Sequence, residues 1–111
     1  MQKLFKVRWQ IIKLILNAWI MGIVFAQNPK IHDITIEGMK YSPQTLTVRL
    51  NDTVIWHNKD FFPHTVTSLD AIFNSLGIPV NGQWRLVIKK KGVFNYKCMF
   101  HPVMKGSLIV E

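Results

Sequence analysis

The chain has 111 residues, one cysteine and a net charge of +8. That length makes room for one small domain, and a composition that is 49% hydrophobic and only 18% charged excludes a disordered chain. A single Cys excludes an internal disulfide framework and any paired-cysteine zinc or redox motif.

The first element is a leader. Residues 1–26 carry Lys3, Lys6, Arg8 and Lys13 with no acid, and the run 14–26 is apolar except for Asn17. Val24-Phe25-Ala26 places small or modest residues where a signal peptidase reads. A charged start, a short apolar core and such an exit predict a secretory signal peptide over 1–26. The apolar run is shorter than the roughly 18–20 residues that span a bilayer; an uncleaved anchor is the alternative. Removal after Ala26 leaves residues 27–111, with ten basic residues against six acids. No basic stripe with interleaved aromatics remains, so neither nucleic acid nor a membrane is an expected partner of the mature domain. Export implies a compartment outside the cytosol, where an unpaired Cys is either buried and inert or a ligand.

From residue 30 onward the apolar period is two. Ile34 and Ile36 alternate with polar neighbours, as do Leu46, Val48 and Leu50. Val54, Trp56 and Asn58 share one face, opposite Thr53, Ile55 and His57. Trp84, Leu86 and Ile88 follow the same rule, then Phe94, Tyr96 and Cys98, then Leu108 and Val110. Turn chemistry separates the runs at Gly38, Ser42-Pro43, Asn51-Asp52, Asn58-Lys59-Asp60 and Asn81-Gly82. Asn51 suits a left-handed turn. Lys89-Lys90-Lys91 before Gly92 reads as a solvated hairpin turn. Asp70–Pro79 fits a loop or a single helical turn. The pattern predicts an all-β, two-sheet antiparallel sandwich whose thin core would gain from a metal staple.

The soft-metal donors of the mature chain are Cys98, four His and Met39, Met99 and Met104. Three of them fall together as Cys98-x2-His101-x2-Met104, on a strand end and one tight loop. Pro102 restricts that loop by fixing its own φ and disfavouring helix at His101. His64 opens an expected strand, His64–Thr67, with Val66 and Ser68 on its face. Alone, each residue has an ordinary role: a buried thiol, a loop or core histidine, a core methionine. Together, a thiolate, two imidazoles and a weak thioether are the ligand set of a mononuclear blue copper site. Such a set suits both Cu(I) and Cu(II), so little moves when an electron is exchanged, and it leaves no open position for a substrate. Zinc would bind these groups too, but an axial Met suits it poorly. One Cys excludes a binuclear copper centre, and there is no second His cluster for a catalytic copper. His32 lies near the mature N-terminus, His57 points outward, Met99 points away from Cys98's face, and Met39 is an apolar contact.

Two blocks, GMKYSPQTLTVRLNDTVIWHNKDFFPHTV (38–66) and GVFNYKCMFHPVMKGSLIVE (92–111), resemble the cupredoxin family and, within it, the amicyanins. The resemblance implies a Greek-key β-sandwich over the mature domain, 27–111. It implies one type 1 copper held by His64, Cys98 and His101, with Met104 axial. It also implies a monomeric periplasmic one-electron carrier that is not an enzyme, served by transient redox partners, a dehydrogenase or a c-type cytochrome. His101 would be the electron port, within an apolar patch of Phe61, Phe62, Pro63, Phe100, Pro102 and Val103. A copper carrier or sequestering protein without a dedicated redox partner is the alternative. Thr65 stands where the family often has an Asn whose side chain ties the ligand loops, so a weaker or rearranged tie is expected.

Overall fold

The computed structural model describes residues 27–111; the expected leader lies outside them. Eight strands form two four-stranded sheets facing one another across one core. The strands are β1 (Ile31–Glu37), β2 (Lys40–Ser42), β3 (Thr45–Val48), β4 (Thr53–Asn58), β5 (Thr67–Ser68), β6 (Gln83–Val87), β7 (Gly92–Lys97) and β8 (Lys105–Val110). One sheet has the order β2-β1-β4-β6 and the other β3-β8-β7-β5. The all-β sandwich is thus as the alternation predicts.

The inward residues are the apolar ones of the period-two pattern. Ile34 and Ile36 of β1, Val54 and Trp56 of β4, Tyr96 of β7 and Leu108 of β8 are all fully buried. Trp56 and Tyr96 meet edge to face with ring centroids 5.7 Å apart, and the Trp56 Nε1–H donates to the Tyr96 hydroxyl at 3.3 Å. Burial pushes the Tyr96 phenol up to about 12, against the opposing effect of that hydrogen bond. It therefore stays neutral.

Each sheet differs from a purely antiparallel one by a single pair. β1 runs parallel to β4, and β3 parallel to β8. The cause is connectivity. After the β1–β2 hairpin the chain crosses to β3 in the opposite sheet and returns, so β4 enters beside β1 in the same direction. Parallel neighbours need such a crossover, whereas a tight turn gives antiparallel ones.

Two further expectations change. Lys89–Lys91 does not close a hairpin, because β6 belongs to one sheet and β7 to the other; the lysines lie on a crossing between sheets. The expected strand at His64–Thr67 is regular only at Thr67–Ser68. Its earlier part is zipped instead to the 70–79 loop, which forms no helix. His64 N–H donates to Ile78 O at 3.2 Å, and Ile78 N–H to His64 O at 2.7 Å. Ser75 N–H donates to Val66 O at 2.9 Å, and Val66 N–H to Ser75 Oγ at 2.7 Å. Ala71 and Leu76 have φ of 62° and 57°, left-handed backbone that no regular strand accommodates. Asn51, with φ of 71°, takes its expected left-handed turn.

Candidate metal centre

The site forms where three segments leave their strands at one end of the sandwich. β4 ends at Asn58, whose fully buried amide donates to Phe62 O at 2.8 Å and Ile78 O at 3.1 Å. Its Oδ1 accepts from Asp60 N–H at 3.0 Å. One side chain thereby shapes the 59–63 loop and fastens it to the 70–79 loop, with His64 between them. Tyr41 of β2 reaches in from the side and donates its hydroxyl to Thr65 O at 2.5 Å. Burial above all, then Cys98 and Tyr96, pushes its phenol well above the usual value, so it too stays a neutral donor.

Cys98 follows β7 directly and continues the inward series Phe94, Tyr96, Cys98; it is fully buried. The chain then turns tightly. Met104 N–H donates to His101 O at 2.9 Å and Cys98 N–H to Met104 O at 3.2 Å, closing the loop on itself. Met104 is buried beside the core, and His101 is half-buried.

Three of the four predicted residues present donor atoms to one point. Cys98 Sγ lies 3.7 Å from His64 Nδ1 and 4.0 Å from His101 Nδ1. All three donor atoms lie within 4.8 Å of one another. These spacings fit ligands spread around a single ion. A metal–sulfur bond of about 2.3 Å and a metal–nitrogen bond of about 2.0 Å, 120° apart, separate the two donors by about 3.7 Å. The backbone brings Met104 to the same loop end.

His64 is oriented by a residue that motif spacing does not reveal. Its Nε2 lies 2.8 Å from Asp60 Oδ2. An ionised carboxylate only accepts, so Nε2 carries the proton and Nδ1 presents its lone pair toward Cys98. Asp60 is held in turn by Met39 N–H at 3.0 Å and Gly38 N–H at 3.1 Å. Gly38 and Met39 both have φ of 61°, the pair of left-handed residues that a two-residue hairpin turn requires. Here that turn also aims two successive N–H groups at one carboxylate. The Met39 N–H, then the His64 ring and the Gly38 N–H, hold the Asp60 carboxyl below its usual range despite partial burial. In sequence Asp60 reads only as part of a turn.

Residues 10–110 match the family model described as a cupredoxin-like domain. The chain belongs to the cupredoxin-like family. It is 30% identical over 83 residues to amicyanin of Paracoccus denitrificans, a match covering 70% of this chain and 63% of that relative's length. Its fold is similar to a purple cupredoxin from Nitrosopumilus maritimus, with a TM-score of 0.68, 31% identity and coverage of 72% and 99% of the two chains. An oxidised amicyanin variant gives a TM-score of 0.68 at 29% identity, over 72% of this chain and 81% of that one.

The cofactor of this cupredoxin is one copper ion, and the donors fit it: thiolate and thioether suit Cu(I), while imidazole suits both states. Thr65 makes the expected rearranged tie, but by accepting. Met99 N–H donates to Thr65 Oγ1 at 2.8 Å, and Thr65 N–H donates to Cys98 Sγ at 3.3 Å. Met99 points out of the site and is exposed. Met39 packs partly buried against the core. The remaining histidines lie on β1 and β4 and pair with carboxylates, His32 with Asp52 at 2.9 Å and His57 with Asp33 at 2.7 Å.

Proposed function

We propose that this cupredoxin is a periplasmic one-electron carrier whose copper would be held by the imidazoles of His64 and His101, the thiolate of Cys98 and, more weakly, the thioether of Met104. Residues 27–111 form the working domain, and 1–26 are its export signal. The observation that carries this reading is the convergence of Cys98 Sγ with the two Nδ1 atoms at 3.7 and 4.0 Å on a buried site with one half-exposed histidine. Copper, when bound, supplies a Cu(II)/Cu(I) couple.

The chain's own part is to fix donors and exclude water. Cys98 and His64 are fully buried. They come from segments fastened by Asn58, Tyr41 and the closed 98–104 loop, so they have little freedom to rearrange between oxidation states. His101 provides the route outward. Phe61 and Val103 are 88% and 87% exposed, and Phe62, Pro63, Phe100 and Pro102 are exposed beside them. A small apolar surface around one ligand suits brief docking of a dehydrogenase or a c-type cytochrome, and redox encounters use interfaces at the small end of the range. With all donors used as ligands, no position is left for a substrate, which supports a carrier rather than an enzyme.

Oxidation of the copper-loaded protein is expected to give an intense visible thiolate-to-copper band, and Cys98→Ser to abolish it. A colourless Cu(II) complex of the native protein would overturn the reading. Fast electron self-exchange is expected of a carrier; slow exchange with ready release of Cu(I) would point instead to copper storage or delivery.

A further inference from the structure

Thr65 is 3% exposed, and every polar group it owns is engaged. Its N–H faces Cys98 Sγ, its carbonyl accepts from Tyr41, and its hydroxyl has two neighbours, Met99 N at 2.8 Å and Thr67 Oγ1 at 3.0 Å. Thr67 Oγ1 in turn lies 3.1 Å from Asn74 Oδ1. The direction of this chain follows from proton counting. Leu76 N–H donates to Asn74 Oδ1 at 2.9 Å; a backbone N–H cannot accept, so the near atom of the amide is its oxygen. That oxygen cannot donate to Thr67, so the Thr67 hydroxyl spends its single proton on it. Thr67 must then accept from Thr65, and the Thr65 lone pairs are left for Met99 N–H.

We propose that Asn74, Thr67 and Thr65 form a directed hydroxyl relay that positions the Met99 peptide, and through it the Cys98 sulfur, so that a surface loop residue helps set the redox balance of the site. The relay rests on the copper reading only for its redox consequence; its hydrogen bonds stand without metal. Aligned donors polarise one another, most where water is excluded, as at the buried Thr65 end; the Thr67–Asn74 bond lies at the surface. Fixing the Thr65 hydroxyl as an acceptor therefore strengthens its hold on Met99, the residue next to Cys98. That hold keeps Cys98 Sγ beneath Thr65 N–H, a contact that draws charge from the thiolate and favours the reduced metal. The 70–79 loop thus supplies the far end of the relay, in addition to its backbone zipper with 64–68.

The test uses Thr65→Val, Thr65→Ser and Asn74→Ala, with two readouts. In the metal-free protein, amide exchange at Met99 is expected to speed up at least tenfold in Thr65→Val and severalfold in Asn74→Ala. It should stay near native in Thr65→Ser, which keeps the hydroxyl. In the copper-loaded protein, Thr65→Val is expected to shift the Cu(II)/Cu(I) equilibrium threefold or more toward Cu(II) and to move the thiolate-to-copper band. Asn74→Ala should shift both the same way by less, and Thr65→Ser should leave both near native. Unchanged Met99 exchange in Thr65→Val overturns the relay. Unchanged exchange and potential in Asn74→Ala, with Thr65→Val altered, overturns its extension to the 70–79 loop. Because exchange is read without metal, a native protein lacking the copper band would sink the functional proposal while leaving the relay tested.

Discussion

Asp60 acts on the site through one carboxylate. One oxygen accepts from Gly38 N–H, and the other is shared by Met39 N–H and His64 Nε2. Asp60→Ala would leave His64 Nε2 and two backbone donors without their acceptor, and no side-chain hydrogen bond would hold Nδ1 toward Cys98. Loss of such a partner typically costs about 10–100-fold in metal affinity, and a loss of that size is expected for Asp60→Ala. Competition against a Cu(I) chelator of known affinity measures it, and an unchanged affinity would show that packing alone orients His64. The sequence makes Cys98, His101 and Met104 legible because they share one loop, where spacing is proximity. Asp60 and the Thr65 tie were harder to see. The partners of Asp60 on the β1–β2 turn lie 21 and 22 residues away, and Met99 lies 34 residues from Thr65. No local pattern encodes such contacts. Thr65 stands out in the sequence only by departing from a family pattern.

At the scale of elements, the pairing of β7 with β8 leaves Gly106 the least room of any described glycine. Gly106 lies directly across from Tyr96, and a Cβ added there would sit 2.3 Å from the Tyr96 ring at Cζ. The ring cannot withdraw easily, since it packs edge-on against Tyr41 at 4.8 Å between centroids and accepts from Trp56. Gly106→Ala should therefore behave as overpacking, at a cost of about 1–3 kcal/mol, read as a lower midpoint in a thermal or urea melt. The thiolate-to-copper band of the folded fraction should also move, because Tyr96 lies two residues before Cys98, which follows β7 directly. A midpoint equal to the native one would mean that the ring relocates freely. Six of the eight strands, β1, β3, β4, β6, β7 and β8, were legible from period two; β2 and β5 are too short to show it, and β4 buries Ile55 as well as its inward face. The strand partners were not legible: alternation specifies a face, whereas β1 beside β4 and β3 beside β8 depend on where the intervening chain crosses. The 70–79 segment was ambiguous because its order comes from pairing with 64–68, through residues that carry no apolar period.

The whole molecule has two differently stabilised ends, separated by the length of β4. Asp52 precedes that strand and the 59–64 segment follows it, a distance of roughly 20 Å at about 3.3 Å per residue. Donor convergence organises the far end. The near end is organised by Asp52, which accepts from Lys30 N–H at 2.9 Å, Arg49 N–H at 3.0 Å and His32 Nε2 at 2.9 Å. These bonds join the start of β1 and the turn after β3 to the start of β4. Led by the Lys30 N–H and the His32 ring, they lower the Asp52 carboxyl to about 2. In the unfolded chain the same group titrates near about 3.9. A carboxylate lowered on folding contributes its full stability above the unfolded value, and that contribution disappears as pH falls from about 4 toward 2. Asp52→Asn should therefore lower the urea midpoint of the metal-free protein at pH 5, and the gap to the native protein should close as pH approaches 2. At pH 7 the penalty should be the same with and without copper, because sites this far apart with no shared partner add independently. A gap that persists at pH 2 would mean that Asp52 acts through its shape rather than its charge. A penalty that copper alters would mean that β4 transmits strain from one end of the sandwich to the other.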